Sequence, residues 1–189
     1  MRESSVSRGI IAAVLLSLLA GCSGRDGESA APILPAGELY TLVNLHVDPK
    51  GNRIFTTNYQ SAILLPLCTR VQVIEQSGKA VRFRSVEQGV EYTYLRTKHL
   101  VASFADHLAK VFGDECVSSR VAAMNQIDRD GIAAGRAVPG MSKDAVILAM
   151  GFPPDHANPN LESDLWTFWR NKFVRMVVHF SDGVVSHVQ

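Results

Sequence analysis

The sequence predicts an α+β fold in two parts: a β-rich first module, then a second module ordered helix, helix, strand, strand, strand. Across residues 39–97, short runs alternate apolar and polar side chains between clusters of turn residues, the pattern of strands with one wet face. Residues 139–154 carry a full set of helix start and stop signals. Residues 166–188 hold three more strand-like runs, the last two joined by Ser181-Asp182-Gly183, a tight-turn sequence.

At the N-terminus, Arg2 and Arg8 precede an apolar run over residues 9–19 that is too short to span a bilayer comfortably and ends in small residues. This reads as a secretory signal over 1–21. Leu19-Ala20-Gly21-Cys22 looks like a bacterial lipobox, which implies acylation of Cys22 as the mature N-terminus. Several acyl chains on one residue anchor firmly, where a single chain is marginal. Residues 22–37, rich in Gly, Ser, Ala and Pro without periodicity, read as a flexible tether with an end-to-end distance on the order of 20 Å. Of 19 basic and 18 acidic residues, the signal removes Arg2, Arg8 and Glu3, so 17 of each remain and the mature chain is neutral. Neutrality argues against a nucleic-acid partner and against holding anionic lipid by charge alone.

The β-rich module spans 38–117. Strand-like runs cover 39–47, 53–57, 62–74, 80–86 and 90–95, with Asp48-Pro49-Lys50-Gly51-Asn52 and Ser77-Gly78-Lys79 as turns. Five or six short strands predict a small, strongly bent sheet or barrel, similar to a bacterial SH3-type module. Leu100, Phe104, Leu108, Val111 and Phe112 recur at helical spacing up to Gly113, which predicts a helix that closes the sheet. Cys68 and Cys116 either pair or remain two separate buried thiols. A bridge closing that loop of about 50 residues would stabilise the fold by roughly 4 kcal/mol.

The second module spans 118–189. Ser118 and Ser119 offer caps for a helix carrying Val121, Met124, Ile127 and Ile132, weakened toward its end by Gly131 and Gly135. In the next helix Ser142 is the N-cap and Met141 can pack on Val146 as a hydrophobic staple. Asp144 suits the positive end of its dipole, and Gly151 caps the C-terminus before Pro153-Pro154. At about two turns, that helix depends on packing of Val146, Ile147 and Met150. On the following strand Trp166 and Phe168 point to the core, Thr167 and Trp169 away. Arg170-Asn171-Lys172 reads as a turn, and Phe173, Arg175, Val177 and His179 as the alternating face of the next strand. An outward Trp169 near Arg170, with Phe173 and Arg175, has the composition of a protein contact. The alternative is that the β-rich module or the tether covers this face.

With Gly140-Met141-Ser142, Gly151-x-Pro153, Trp166-x-Phe168 and Phe180-x-x-Gly183-x-Val185 in that order, residues 127–188 resemble the SmpA/OmlA (BamE-like) family of outer-membrane lipoproteins. The resemblance carries Gly140, Met141, Gly151, Pro153, Trp166 and Gly183 as fold determinants and implies a BamE-like ααβββ domain. It also implies an outer-membrane location facing the periplasm, in keeping with Ser23 rather than aspartate after Cys22. Envelope proteins, barrel-assembly subunits among them, are the implied partners. The expected function is therefore a lipid-anchored, non-enzymatic accessory or interaction subunit in outer-membrane β-barrel assembly or envelope integrity. Two other classes stand beside it: a periplasmic small-ligand or peptidoglycan-binding module, and a protein inhibitor of an envelope enzyme, since the α+β arrangement also resembles β-lactamase-inhibitor-type domains. A deep pocket with convergent polar groups between the modules favours a ligand, whereas a flat apolar face around Trp169 favours a protein.

Catalytic and metal chemistry has little local support. The six histidines form no His-x-His or His-x-x-x-His pair and no two cysteines lie two to four residues apart, so no metal and no cofactor are expected. His107 reads as a solvated residue off the apolar stripe of its helix, and His179 shares a strand face with Arg175. The chain has no Gly-rich phosphate loop, no Gly-x-Ser-x-Gly elbow and no internal repeat. Neither Cys68 nor Cys116 has a recognisable catalytic setting, and an enzyme would need titratable groups meeting in a cleft.

Overall fold

A computed structural model describes residues 33–189; the expected signal, Cys22 and most of the expected tether lie outside the described residues. The elements in chain order are β1 (Glu38–Thr41), β2 (Leu45–Val47), β3 (Arg53–Phe55), β4 (Ile63–Leu65), β5 (Arg70–Gln76), β6 (Ala80–Ser85), β7 (Glu91–Leu95), α1 (Phe104–Ala109), β8 (Phe112–Gly113), α2 (Ser118–Ala122), α3 (Gln126–Ala134), α4 (Lys143–Met150), β9 (Leu165–Trp169), β10 (Arg175–Ser181) and β11 (Val184–Val188). The fold is α+β and mostly β, with a curled sheet. Six strands form that sheet in the order β3-β7-β6-β5-β1-β8, β2 pairs with β4, and β11-β10-β9 form a separate antiparallel meander.

Alternation sets the two faces of the large sheet. In β6, Val81, Phe83 and Ser85 are buried while Arg82 and Arg84 face water, where they pair with Glu75 and Glu91 of the neighbouring strands. Such exposed pairs contribute little stability, so the inward residues carry the sheet. Phe83 and Tyr94 meet Phe112 edge to face, at 5.3 and 5.9 Å between ring centroids.

Several boundaries differ from the sequence expectation. The run 39–47 breaks into β1 and β2 because Leu42 N donates to Val111 O and Asn44 N to Leu148 O rather than to a strand. The run 62–74 breaks at Pro66, which has no N–H to give a ladder, and at Cys68, whose φ is 62°. The helix expected up to Phe112 is shorter: Ser103 caps α1, Lys110 closes it, and Phe112 pairs with Thr41 at the edge of β1. The single helix expected after Ser118 is two. Asn125 accepts from Asp128 N and starts α3, whereas neither Ser118 nor Ser119 caps α2. The end of the tether is held, since Leu34 is buried and exchanges hydrogen bonds with the Gln76 side chain. Cys68 and Cys116 form a disulfide with 4.9 Å between their Cα atoms.

α4 starts at Ser142, whose hydroxyl accepts from Ala145 N, and ends at Gly151 with φ 76°. It buries Ala145, Val146, Leu148, Ala149 and Met150, with Ile147 half-buried. Asp128 of α3 fixes the cap from below, accepting from Ser142 N at 2.8 Å and Ser142 Oγ at 3.2 Å. Gly140 N donates to Val185 O, and Val185 N to Met141 O, which ties the entry of α4 to β11. In the meander Trp166 and Phe168 are each 1 % exposed, and Trp166 meets Phe180 at 4.7 Å. Asp182 and Gly183, at φ 51° and 78°, make the two-residue turn between β10 and β11.

The four carbonyls at the C-terminus of α4, which no helix satisfies internally, all find donors. Gly151 N reaches Ile147 O and Asn44 N reaches Leu148 O, at 2.8 and 2.9 Å. Asn44 Nδ2 donates to Ala149 O at 3.2 Å. Asn58 Nδ2 and Gln60 Nε2 donate to Met150 O at 2.6 and 3.0 Å. Three of these donor residues belong to the β-rich half, so one buried core runs through the change of texture at 117–118. Gly151 permits the approach: a Cβ there would lie 2.4 Å from Asn58 Nδ2.

Asn58→Ala is therefore expected to cost about 1–3 kcal/mol in urea unfolding, because it strands the buried His46 N–H that Asn58 Oδ1 accepts and leaves Met150 O with Gln60 alone. Trp166→Ala, which opens a core cavity, is expected to cost about 3–5 kcal/mol in the same measurement.

Candidate functional site

The seam between the two halves opens at the surface as two adjoining cavities that share Thr97 and His99 as a common wall. The smaller, about 250 Å³, is bounded by Thr56 and Thr57 after β3, by His107 and Lys110 at the end of α1, and by the loop from Phe152 to Asn158 after α4. Two of its titratable groups, Asp155 and His107, are already engaged. Asp155 accepts from Ala102 N at 2.8 Å and from Val101 N at 3.0 Å. Burial alone would raise its carboxyl, but those N–H groups and the nearby His107 hold it below the usual carboxylate range.

His107 corrects the sequence expectation. It is half-buried, and its Nε2 shares a hydrogen bond of 2.7 Å with the buried Tyr94 hydroxyl. Burial pushes its pKa down to about 4, against the pull of Asp155. Tyr94, fully buried, is pushed up from its ordinary value.

Across the common wall a column of flat groups stands on the surface. His99 lies 5.1 Å from His156, His156 lies 5.1 Å from Trp169, and the Arg175 guanidinium sits 5.9 Å over the Trp169 ring. Trp169 is half-buried, and its carbonyl accepts from Gln60 N at 2.8 Å. The face around it is thus occupied by His156, Arg175 and the segment after β3, not flat and apolar. Phe173 is the exposed aromatic of the region, at 82 %, with Lys172 4.8 Å from its ring.

The larger cavity, about 750 Å³, lies between the β2–β3 turn and the β9–β10 turn. Lys50 comes from the first turn and Arg53 from the start of β3, Arg170 and Lys172 from the second turn, and Lys98 from the segment after β7. Phe55 and Tyr59, edge to face at 5.5 Å, form its apolar wall. At its floor His46 is 4 % exposed and donates Nδ1–H to Ser61 O at 2.8 Å. Burial holds His46 below its ordinary pKa, although the carbonyls of Ser61 and Ala149 favour the charged ring.

Of the expected interface residues, Arg170 lines this cavity, Trp169 and Arg175 stack at its side, and Phe173 stands clear at the hairpin tip. Pro153 is buried and lines the smaller cavity. Cys22 lies outside the described residues. Lys50, Arg53, Lys98, His99, Asp155 and His156 were not singled out by the sequence; the basic residues in three separate stretches were their only signal. His179 does share a face with Arg175, and its ring stacks on His187 at 3.9 Å. Among the described residues no group of three His, Cys, Asp or Glu side chains is placed to hold a metal, and no helix is long and apolar enough to cross a membrane.

His107 makes stability depend on pH. Its folded pKa is below its unfolded value of 6.5, so the unfolded chain binds the extra proton and stability falls as pH drops from about 6.5 to about 4. The loss should approach about 3 kcal/mol, and His107→Gln should flatten that part of a melting-temperature profile relative to the native chain.

Neither a protein-family model nor a curated protein nor a solved structure matches the chain.

Proposed function

We propose that this is a lipid-anchored envelope protein that faces the periplasm from the outer membrane and works by binding a small ligand in the seam, without catalysis. The observation that carries the reading is the pair of adjoining cavities, where polar and charged groups from both halves converge. Catalysis is disfavoured because Asp155 is spent on backbone N–H groups and His107 on Tyr94. The Cys68–Cys116 disulfide suits an oxidising compartment, and the lipobox at Cys22 supplies the anchor. The succession α3, α4, β9, β10, β11 supports a BamE-like second half, and the curled sheet an SH3-like first half.

A second reading, an accessory subunit that binds barrel-assembly or other envelope proteins, is favoured by one observation: the exposed Phe173 between Lys172 and Val174 at the β9–β10 tip. The two readings separate in one experiment. The full chain is purified from gently solubilised membranes and examined by native mass spectrometry. Retention of a small molecule, reduced by His99→Ala, is the expected result. An empty chain that co-purifies with envelope proteins, and loses them on Phe173→Ala, overturns the ligand reading. Phe173→Ala itself should change stability by no more than about 0.5 kcal/mol, because the ring packs on little.

A further inference from the structure

We infer that the larger cavity is an anion site and that its ligand is a phosphorylated, sugar-sized molecule held chiefly by Arg53. This rests on the seam being a ligand site and names the chemistry that the site selects.

Five cations, Lys50, Arg53, Lys98, Arg170 and Lys172, line the cavity against one carboxylate, Asp48. That carboxylate is already neutralised: Arg53 Nη2 donates to it at 2.7 Å and Lys50 N at 2.9 Å. Those two donors hold Asp48 below the usual carboxylate range. Among the described residues the other four cations make no salt bridge. Like charges gathered in one cleft repel, and their joint field draws in an anion. The chain as a whole is nearly neutral, so this concentration is a local feature.

Arg53 is also incomplete. Its Nε is buried and has no hydrogen-bond partner among the described residues, while Asp48 takes Nη2. A buried charged donor left unpaired is unfavourable to fold around. That Nε is out of a ligand's reach, but the side chain is 43 % exposed and Nη1 makes no hydrogen bond among the described residues, so the guanidinium end that Asp48 orients is available to an oxyanion. Five cations against one carboxylate leave an excess of four, more than a single ligand carboxylate answers. Three of the five are lysines, point charges that follow phosphate without requiring a planar partner. The remaining wall, Phe55, Tyr59, Ser61, Thr97 and Asn171, offers ring faces and hydroxyl or amide groups to a polar body, and about 750 Å³ falls in the range of small-molecule sites.

The test is calorimetric titration of the full chain in mild detergent with glucose 1,6-bisphosphate, with lipid A dispersed in the same detergent, and with two neutral probes, glucose and chitobiose. Binding of a phosphorylated probe, weaker in added salt and at least about tenfold weaker in Arg53→Gln, is expected. Because Arg53 also holds Asp48, a thermal melt accompanies that variant. Lys98→Gln and the double change Arg170→Gln with Lys172→Gln provide the same test without an ion pair to lose. Binding of the bisphosphate supports a free sugar phosphate, and binding of lipid A alone supports a membrane glycolipid headgroup. If neither phosphorylated probe binds, or if binding survives all these substitutions, the inference is overturned. Binding of a neutral probe in their place would overturn it while leaving the seam a ligand site; an empty chain in native mass spectrometry would remove both.

Discussion

The structure depends on how the C-terminus of α4 is satisfied. A helix of eight residues is too short to stabilise itself, and its last carbonyls, buried in the middle of the protein, would each carry a desolvation penalty if left alone. Asn44, Asn58 and Gln60 supply the donors from the β-rich half. Asn44 is occupied on every side, for its Oδ1 accepts from Leu67 N and its Nδ2 also reaches Ile132 O. Asn58 accepts in turn from His46 N. Such a network rigidifies what it joins, because its members have few other ways to be satisfied. The seam is therefore a fixed surface, and the cavities that open along it have walls set by the core.

Legibility in the sequence followed the range of the forces involved. α4 could be read closely, since Ser142, Gly151 and Pro153 act within the helix they bound. The Asp182-Gly183 turn was equally local. Helix ends that depend on a distant partner are not legible in this way: Val111 and Phe112 continue the apolar spacing of α1, but β1 takes the backbone of Phe112. The parallel pairing of β3 with β7 left no trace either, because a strand of three residues carries no sign of its neighbour.

The candidate site was harder to see for the same reason. Its basic residues come from three separate stretches, around Lys50 and Arg53, at Lys98, and at Arg170 and Lys172, each ordinary for a solvated segment. Only the fold brings them together, through the β2–β3 turn on one side and the β9–β10 turn on the other. Asp155 and His156 follow α4 in a loop chosen by its prolines, where sequence shows punctuation and not chemistry. His107 reads as solvated because periodicity counts apolar residues, and a half-buried histidine paired with a tyrosine does not register in that count.

The capping of α4 also fixes when the chain can finish folding. Its donors and acceptors are separated by 105 positions for Asn44 and Ala149 and by 92 for Asn58 and Met150, so the contacts that unite the halves are among the least local in the molecule. A chain emerging from its N-terminus presents Asn44, Asn58 and Gln60 long before any carbonyl of α4 exists. Cys68 and Cys116 are both out by then, so the crosslink can close over the β-rich half while the seam is still one-sided. Arrival of α4 supplies the carbonyls that those donors await, and the two cavities are complete only once the later residues 152–161 and 170–172 have joined it.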